Sequence, residues 1–176
     1  MTLAAVLCCA PLFTSCNKEN PDQPVGPDTT PVAAVMDYSF EVSDDLFNAF
    51  DLTVEYYDAT GAVKSETMTS KSWTKSMKSN QLPATLGARV FIKLKSSFDP
   101  TKEGVFSAMH LYGYQYYFIN KSGEKVGKAD ISSSEGGSEM KYDKVPAYAE
   151  RYQDKPVMKF LFNFAADGTA TSGSWN

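Results

Sequence analysis

Apolar and polar residues alternate along most of the chain after residue 35. In "MDYSFEVS", Met36, Tyr38, Phe40 and Val42 alternate with Asp37, Ser39, Glu41 and Ser43. In "FDLTVEYY", Phe50, Leu52, Val54 and Tyr56 alternate with Asp51, Thr53, Glu55 and Tyr57. This spacing puts one face of a strand in a core and the other in water. Asp58-Ala59-Thr60-Gly61 follows as a hairpin turn, and "AVKSETMTS" returns from it. In "ARVFIKLK", Ala88, Val90, Ile92 and Leu94 share a face opposite Arg89, Phe91, Lys93 and Lys95.

The C-terminal half continues in the same way. A tyrosine-rich strand runs to about Asn120, "NKSGE" turns, and "KVGKADIS" returns. The glycines and serines of "SSSEGGSEMK" predict a loop. "DKVPAYAERYQ" predicts a short helix capped by Asp143, with Pro146 in its first turn and Tyr148 and Tyr152 on one face. The last hairpin turns at Asp167-Gly168 and carries Met158, Phe160, Phe162 and Phe164 on its core side. Short alternating strands with regular turn signals predict an all-β, antiparallel sandwich with one short helix. The strand spacing and the "LTVEYYDATGAVKSE" hairpin resemble immunoglobulin-like and fibronectin-like domains, which implies a two-layer sandwich. A lipocalin-like up-and-down β-barrel is the alternative architecture.

Two stretches stand out. "HLYGYQYYF" carries the single histidine, His110, and Tyr112, Tyr114, Tyr116 and Tyr117 from a total of ten tyrosines. His110, Tyr112, Tyr114, Tyr116 and Phe118 share one face of the strand. Such a row is explained by core packing, because aromatics favour strands and pair across them. It also suits a shallow trough beside Gly113, where amphipathic rings stack on sugars and phenols supply hydrogen bonds. In "SKSWTKSMKS", Trp73, Lys75 and Met77 share a face. An inward lysine blunts an edge strand against aggregation. The other reading is an exposed Trp73 flanked by Lys71, Lys75 and Lys78 as an anchor for an acidic or glycan partner.

The N-terminal residues differ in composition. Residues 1–15 are uncharged and largely apolar, too short to span a bilayer, and read as a signal peptide. Leu12-Phe13-Thr14-Ser15-Cys16 resembles a bacterial lipobox, which implies cleavage before Cys16 and its lipidation. "CNKEN" resembles the Lys-plus-acid tags of Bacteroidota surface lipoproteins, which implies an outer-membrane anchor with the domain facing outward. Residues 16–35 are polar, with prolines at 21, 24, 27 and 31, and predict a disordered tether. Segment 17–35 spans roughly 24 Å as a flexible coil and roughly 60 Å as polyproline II. Residues 36–176 then form a single domain of sufficient size for its own core.

Chemistry is narrowed by composition. The three cysteines are Cys8, Cys9 and Cys16, all within the leader or at the lipidation point, so residues 36–176 hold no disulfide, cysteine nucleophile or cysteine-based zinc site. With one histidine, no His-His metal cluster forms, and neither a nucleotide-binding glycine motif nor G-x-S-x-G is present. A net charge of −4 speaks against nucleic acid. No cofactor or metal is expected, and no catalytic residue is assigned. Asp44, Asp45, Glu135, Glu139 and Glu150 have the side chain that glycoside hydrolysis needs, but nothing in the sequence fixes a pair of them in space. Asp44, Asp45 and Asp58 are loop oxygens of the kind calcium uses, without EF-hand spacing. The expectation is a lipid-anchored, noncatalytic binding or interaction domain for a glycan or an envelope protein, with a hydrolase or a structural spacer as alternatives. Its candidate binding residues are His110, Tyr112, Tyr114, Tyr116, Trp73 and Lys75. Cys16→Ala is expected to abolish acyl labelling and move the protein out of the membrane fraction; a variant that stays with the membrane counts against the anchor.

Overall fold

A computed structural model of the chain describes residues 26–175. The signal peptide, Cys16 and the first part of the tether lie outside the described residues. The elements in order are β1 (Ala33–Val42), α1 (Asp44–Ala49), β2 (Phe50–Tyr57), β3 (Val63–Thr67), β4 (Ser72–Lys78), β5 (Ala84–Leu94), β6 (Val105–Ser107), β7 (His110–Ile119), β8 (Lys125–Gly136) and β9 (Glu139–Lys141). A 3-10 turn (Tyr142–Lys144) leads into α2 (Val145–Arg151), followed by β10 (Met158–Phe164) and β11 (Ala170–Ser172).

The strands form two antiparallel sheets packed face to face. One has the order β4-β1-β7-β8, the other β11-β10-β5-β2-β3, and β6 and β9 form a separate ribbon. The outer strands of the two sheets do not pair with one another, so no barrel closes and the lipocalin-like alternative is set aside. The two-layer sandwich expected from the strand pattern is what the sheets form. The order of strands is this chain's own: β1 pairs with β4 and β7, not with its neighbour β2.

The core is where the alternation put it. Met36, Tyr38, Phe40 and Val42 of β1, Phe50, Leu52, Val54 and Tyr56 of β2, Ala88, Val90 and Ile92 of β5, and Phe160, Phe162 and Phe164 of β10 belong to one buried cluster. Aromatic rings bridge the sheets. Phe160 packs on Tyr38 and Phe40 at 5.6 Å, on Tyr114 at 5.3 Å and on Tyr112 at 6.2 Å between ring centroids. Tyr116 continues the row against Phe162 and Phe164. The hydroxyl of Tyr38 is buried without a hydrogen-bond partner, and burial pushes its pKa well above the usual phenol range.

Four of the turns share a device. Asp28, Asp58, Asp99 and Asp167 each accept from the backbone N–H of the threonine two residues on, at 2.8–2.9 Å. These Asp-x-Thr turns fix the loop backbone locally.

Five expectations need correction. The tether does not extend to residue 35, because Ala33 and Val35 pair with Ile119 and Tyr117 and are buried with Ile119 in a small cluster on the outer face of β1 and β7. Asp44 and Asp45 open a helix, with Ser43 as N-cap accepting from the N–H of Leu46. The stretch predicted as a loop continues β8 to Gly136, since an edge strand needs only one neighbour and β7 supplies it. Asp143 does not cap α2; it lies in the 3-10 turn and pairs with Lys144. The trough beside Gly113 is not lined by the tyrosine rings: those rings pack into the sandwich against Phe160 and Phe162, while Gly113 lies on the opposite, outer face.

Tyr114 is half-buried, with its ring 4.8 Å from Phe162. Tyr114→Ala is therefore expected to cost about 3 kcal/mol, the lower end of the range for aromatic truncation in a core. Tyr114→Phe, which keeps the ring, should stay within about 0.5 kcal/mol of the parent. Thermal melts of the two variants check both.

Candidate functional site

The sequence-derived candidates fall into separate places. Tyr112, Tyr114 and Tyr116 stand together on β7, rings against β10. Burial pushes the Tyr116 pKa up, and the neighbouring Asp130 carboxylate acts in the same direction. His110, at the start of β7, is half-buried. Its ring covers Gly136, where an added Cβ would lie 2.6 Å from Nε2. Desolvation pushes its pKa down. That is a packed strand histidine.

Trp73 and Lys75 sit on β4, at the opposite edge of the sheet, and both point inward. Trp73 pairs with Phe40 and Lys75 with Tyr38 across the β1–β4 ladder. Their partner is Glu66 of β3, the edge strand of the other sheet. The Glu66 carboxylate accepts from the Tyr56 hydroxyl at 2.7 Å, from Trp73 Nε1 at 3.1 Å and from Lys75 Nζ. Lys75 also lies 4.2 Å from the centre of the Tyr56 ring. This polar latch ties two sheet edges together. The edge-strand reading of Lys75 accounts for it, and Trp73 is engaged rather than presented. Glu66 escaped the sequence reading because its strand shows no amphipathic pattern.

The candidate carboxylates are dispersed. Asp44 pairs with Lys71 at 2.9 Å. Asp45 accepts from the Ser107 N–H at 2.9 Å and the Tyr142 hydroxyl at 3.1 Å, so it fastens α1 to the β6–β9 ribbon. Asp58 is occupied by Thr60 and Ala62 in its turn. Glu135, Glu139 and Glu150 are exposed on β8, β9 and α2. Among the described residues no three His, Cys, Asp or Glu side chains converge as a metal site would require.

A concavity does lie at Gly113, on the face opposite the tyrosine row. The outer face of β4-β1-β7-β8 forms a shallow trough of about 760 Å³. Its floor is Gly113, flanked in register by Ser39 and Ser133, with Thr74 beyond Ser39. Asp37 and Gln115 form the next row, which ends at Ile131, 74% exposed. The missing side chain at Gly113 keeps the centre low; a Cβ there would come within 2.9 Å of Ser39 Oγ. The signal available in the sequence was the polar half of each alternation, which puts small hydroxyl and amide side chains on one surface. No protein-family model matches the sequence, and no curated protein matches it.

The latch makes a pH prediction. Hydrogen bonds from Lys75, Tyr56 and Trp73 hold the Glu66 pKa down from 4.5 to about 2. Desolvation works against the Lys75 ammonium, but Glu66 and Tyr56 outweigh it and its pKa stands above the ordinary value. A depressed carboxylate pKa contributes stability that is fully present above its unfolded value and disappears as pH falls through the folded one. The latch should therefore hold above pH 4.5 and weaken toward pH 2. Urea midpoints measured across that window should fall less steeply in Glu66→Gln than in the parent. An unchanged acid dependence in Glu66→Gln would remove the latch from the account.

Proposed function

We propose that the protein is a noncatalytic binding module of the cell envelope. It is held to the outer membrane through lipidated Cys16 and takes a neutral, polyhydroxylated ligand such as a glycan on the outer face of the four-stranded sheet. The observation that carries this reading is the trough over Gly113. It is broad, shallow and lined by serine and threonine hydroxyls, one carboxylate and one amide. Those groups offer both donors and acceptors to sugar hydroxyls. Ile131 supplies an apolar contact for the C–H face of a ring.

Charge and position support the same reading. Asp37 in the trough, with Glu41 and Glu135 at its end, disfavours a phosphate-bearing polymer. The chain enters β1 beside the β7–β8 turn, where the Asn120 amide donates to the Asp28 carbonyl at 2.7 Å. The described chain therefore begins at the turn end of the sheet and not over Gly113. Hydrolysis gains less support, because the candidate carboxylates sit on α1, β8, β9 and α2 and Asp45 is tied up structurally.

Affinity electrophoresis against a panel of neutral polysaccharides tests the proposal. At least one is expected to retard the parent protein. Gln115→Ala combined with Ser76→Arg, both on the outer face, should raise the dissociation constant tenfold or more, equivalent to about 1.4 kcal/mol. The melting temperature should hardly change. Retardation that survives both substitutions, or no retardation by any polysaccharide, rejects the trough as a glycan site.

A further inference from the structure

We infer that β8 is a homodimerisation edge, which pairs antiparallel with β8 of a second copy about a two-fold axis at Ile131. Among the described strands β8 pairs only with β7, so its other edge is open over a twelve-residue strand. Long open edges are templates for strand addition. The strand is also uncovered from inside. Its inward residues Asp130, Ser132 and Ser134 are exposed. Ile131 is the most exposed large apolar side chain among the described residues.

Charge selects a second copy as the occupant. Ile131 lies opposite Gln115 of β7, Lys125 opposite Ile119 and Glu135 opposite Leu111. Measured along β7, Lys125 and Glu135 are thus equally far from Ile131, on either side of it. The bulge between Tyr116 and Phe118 takes up the extra residues of β8 that would otherwise spoil this symmetry. Both side chains lie on the outer face, where Lys125 Nζ sits 3.9 Å from the Tyr117 ring centre. A two-fold axis normal to the sheet keeps the outer faces on one side and places each Lys125 beside the partner's Glu135. Opposite charges across strands stabilise such pairs, whereas like charges oppose them. The two four-stranded sheets then become one, and the inner flank of β8 is sheltered by the second sandwich.

Sedimentation equilibrium of the full chain, kept reduced so that Cys8, Cys9 and Cys16 form no disulfide, provides the test. The parent is expected to associate reversibly to a dimer. Ile131→Lys puts two ammonium groups on the axis and should leave a monomer with an unchanged circular dichroism spectrum and melting temperature. Lys125→Glu should raise the dimer dissociation constant roughly 2- to 30-fold through its two like-charge pairs. Lys125→Glu with Glu135→Lys should restore it. A foreign strand or the chain's own N-terminal residues on this edge would not be rescued by that exchange. A monomeric parent, association that persists in Ile131→Lys, or failure of the double exchange to restore pairing overturns the proposal.

Discussion

The packing of Phe160 between the sheets is the contact on which the rest depends. One ring on β10 meets two rings of β1 and two of β7. Tilted and offset aromatic contacts of this kind add to the stabilisation from burial. They also remove a freedom. Once Tyr112 and Tyr114 are committed to Phe160, strand periodicity sends Leu111, Gly113 and Gln115 outward. A one-residue slip would exchange the faces and lose the whole aromatic stack. The trough is thus a consequence of the core: the face with small and polar side chains is free because the other face is taken.

The two flanks of the sandwich are closed by different means. Between β4 and β3, a lysine, a glutamate, a tryptophan and a tyrosine satisfy one another, and the lysine stem covers apolar surface while its head finds a carboxylate. Charge placed inside an edge strand discourages edge-to-edge association there. Between β8 and β11 no comparable cluster exists among the described residues. The tyrosine row ends at serines and an aspartate that remain in solvent. One flank is therefore protected against pairing and the other is exposed to it.

Much of this was legible in the sequence, for a specific reason. Residues 36–42 and 50–56 alternate cleanly, 88–94 and 158–164 alternate apart from Phe91 and Leu161, and all four became strands with the expected face turned inward. The helix at 145–151 showed itself through Pro146 and the spacing of Tyr148 and Tyr152, whose rings stand 4.9 Å apart. What was hidden depended on partners distant in sequence. Ser132–Gly136 has loop composition and is a strand because β7 lies beside it. Asp44 and Asp45 looked like free loop carboxylates and are the first turn of a helix, although Ser43 in front of them is a good N-cap. Glu66 acquired its role from three side chains on two other strands. The trough combines residues of β1, β4, β7 and β8, and no window of the sequence contains more than two of those strands.

The tyrosine-rich stretch shows why the face of a residue matters more than its type. Nine consecutive residues looked adhesive because four of them are tyrosines. Three of those four rings are spent on the core, and the fourth, Tyr117, lies under Lys125. The residue in the stretch that shapes the surface is the one without a side chain. Gly113 contributes no ring and no hydrogen-bonding group, yet its outward position sets the depth of the trough and leaves Ser39 and Ser133 accessible on either side. Core packing and surface shape are consequently divided between the two faces of a single strand. Substitutions on the outer face of β7 leave the Phe160 contacts intact, so that surface is able to vary in sequence while the sandwich beneath it stays the same.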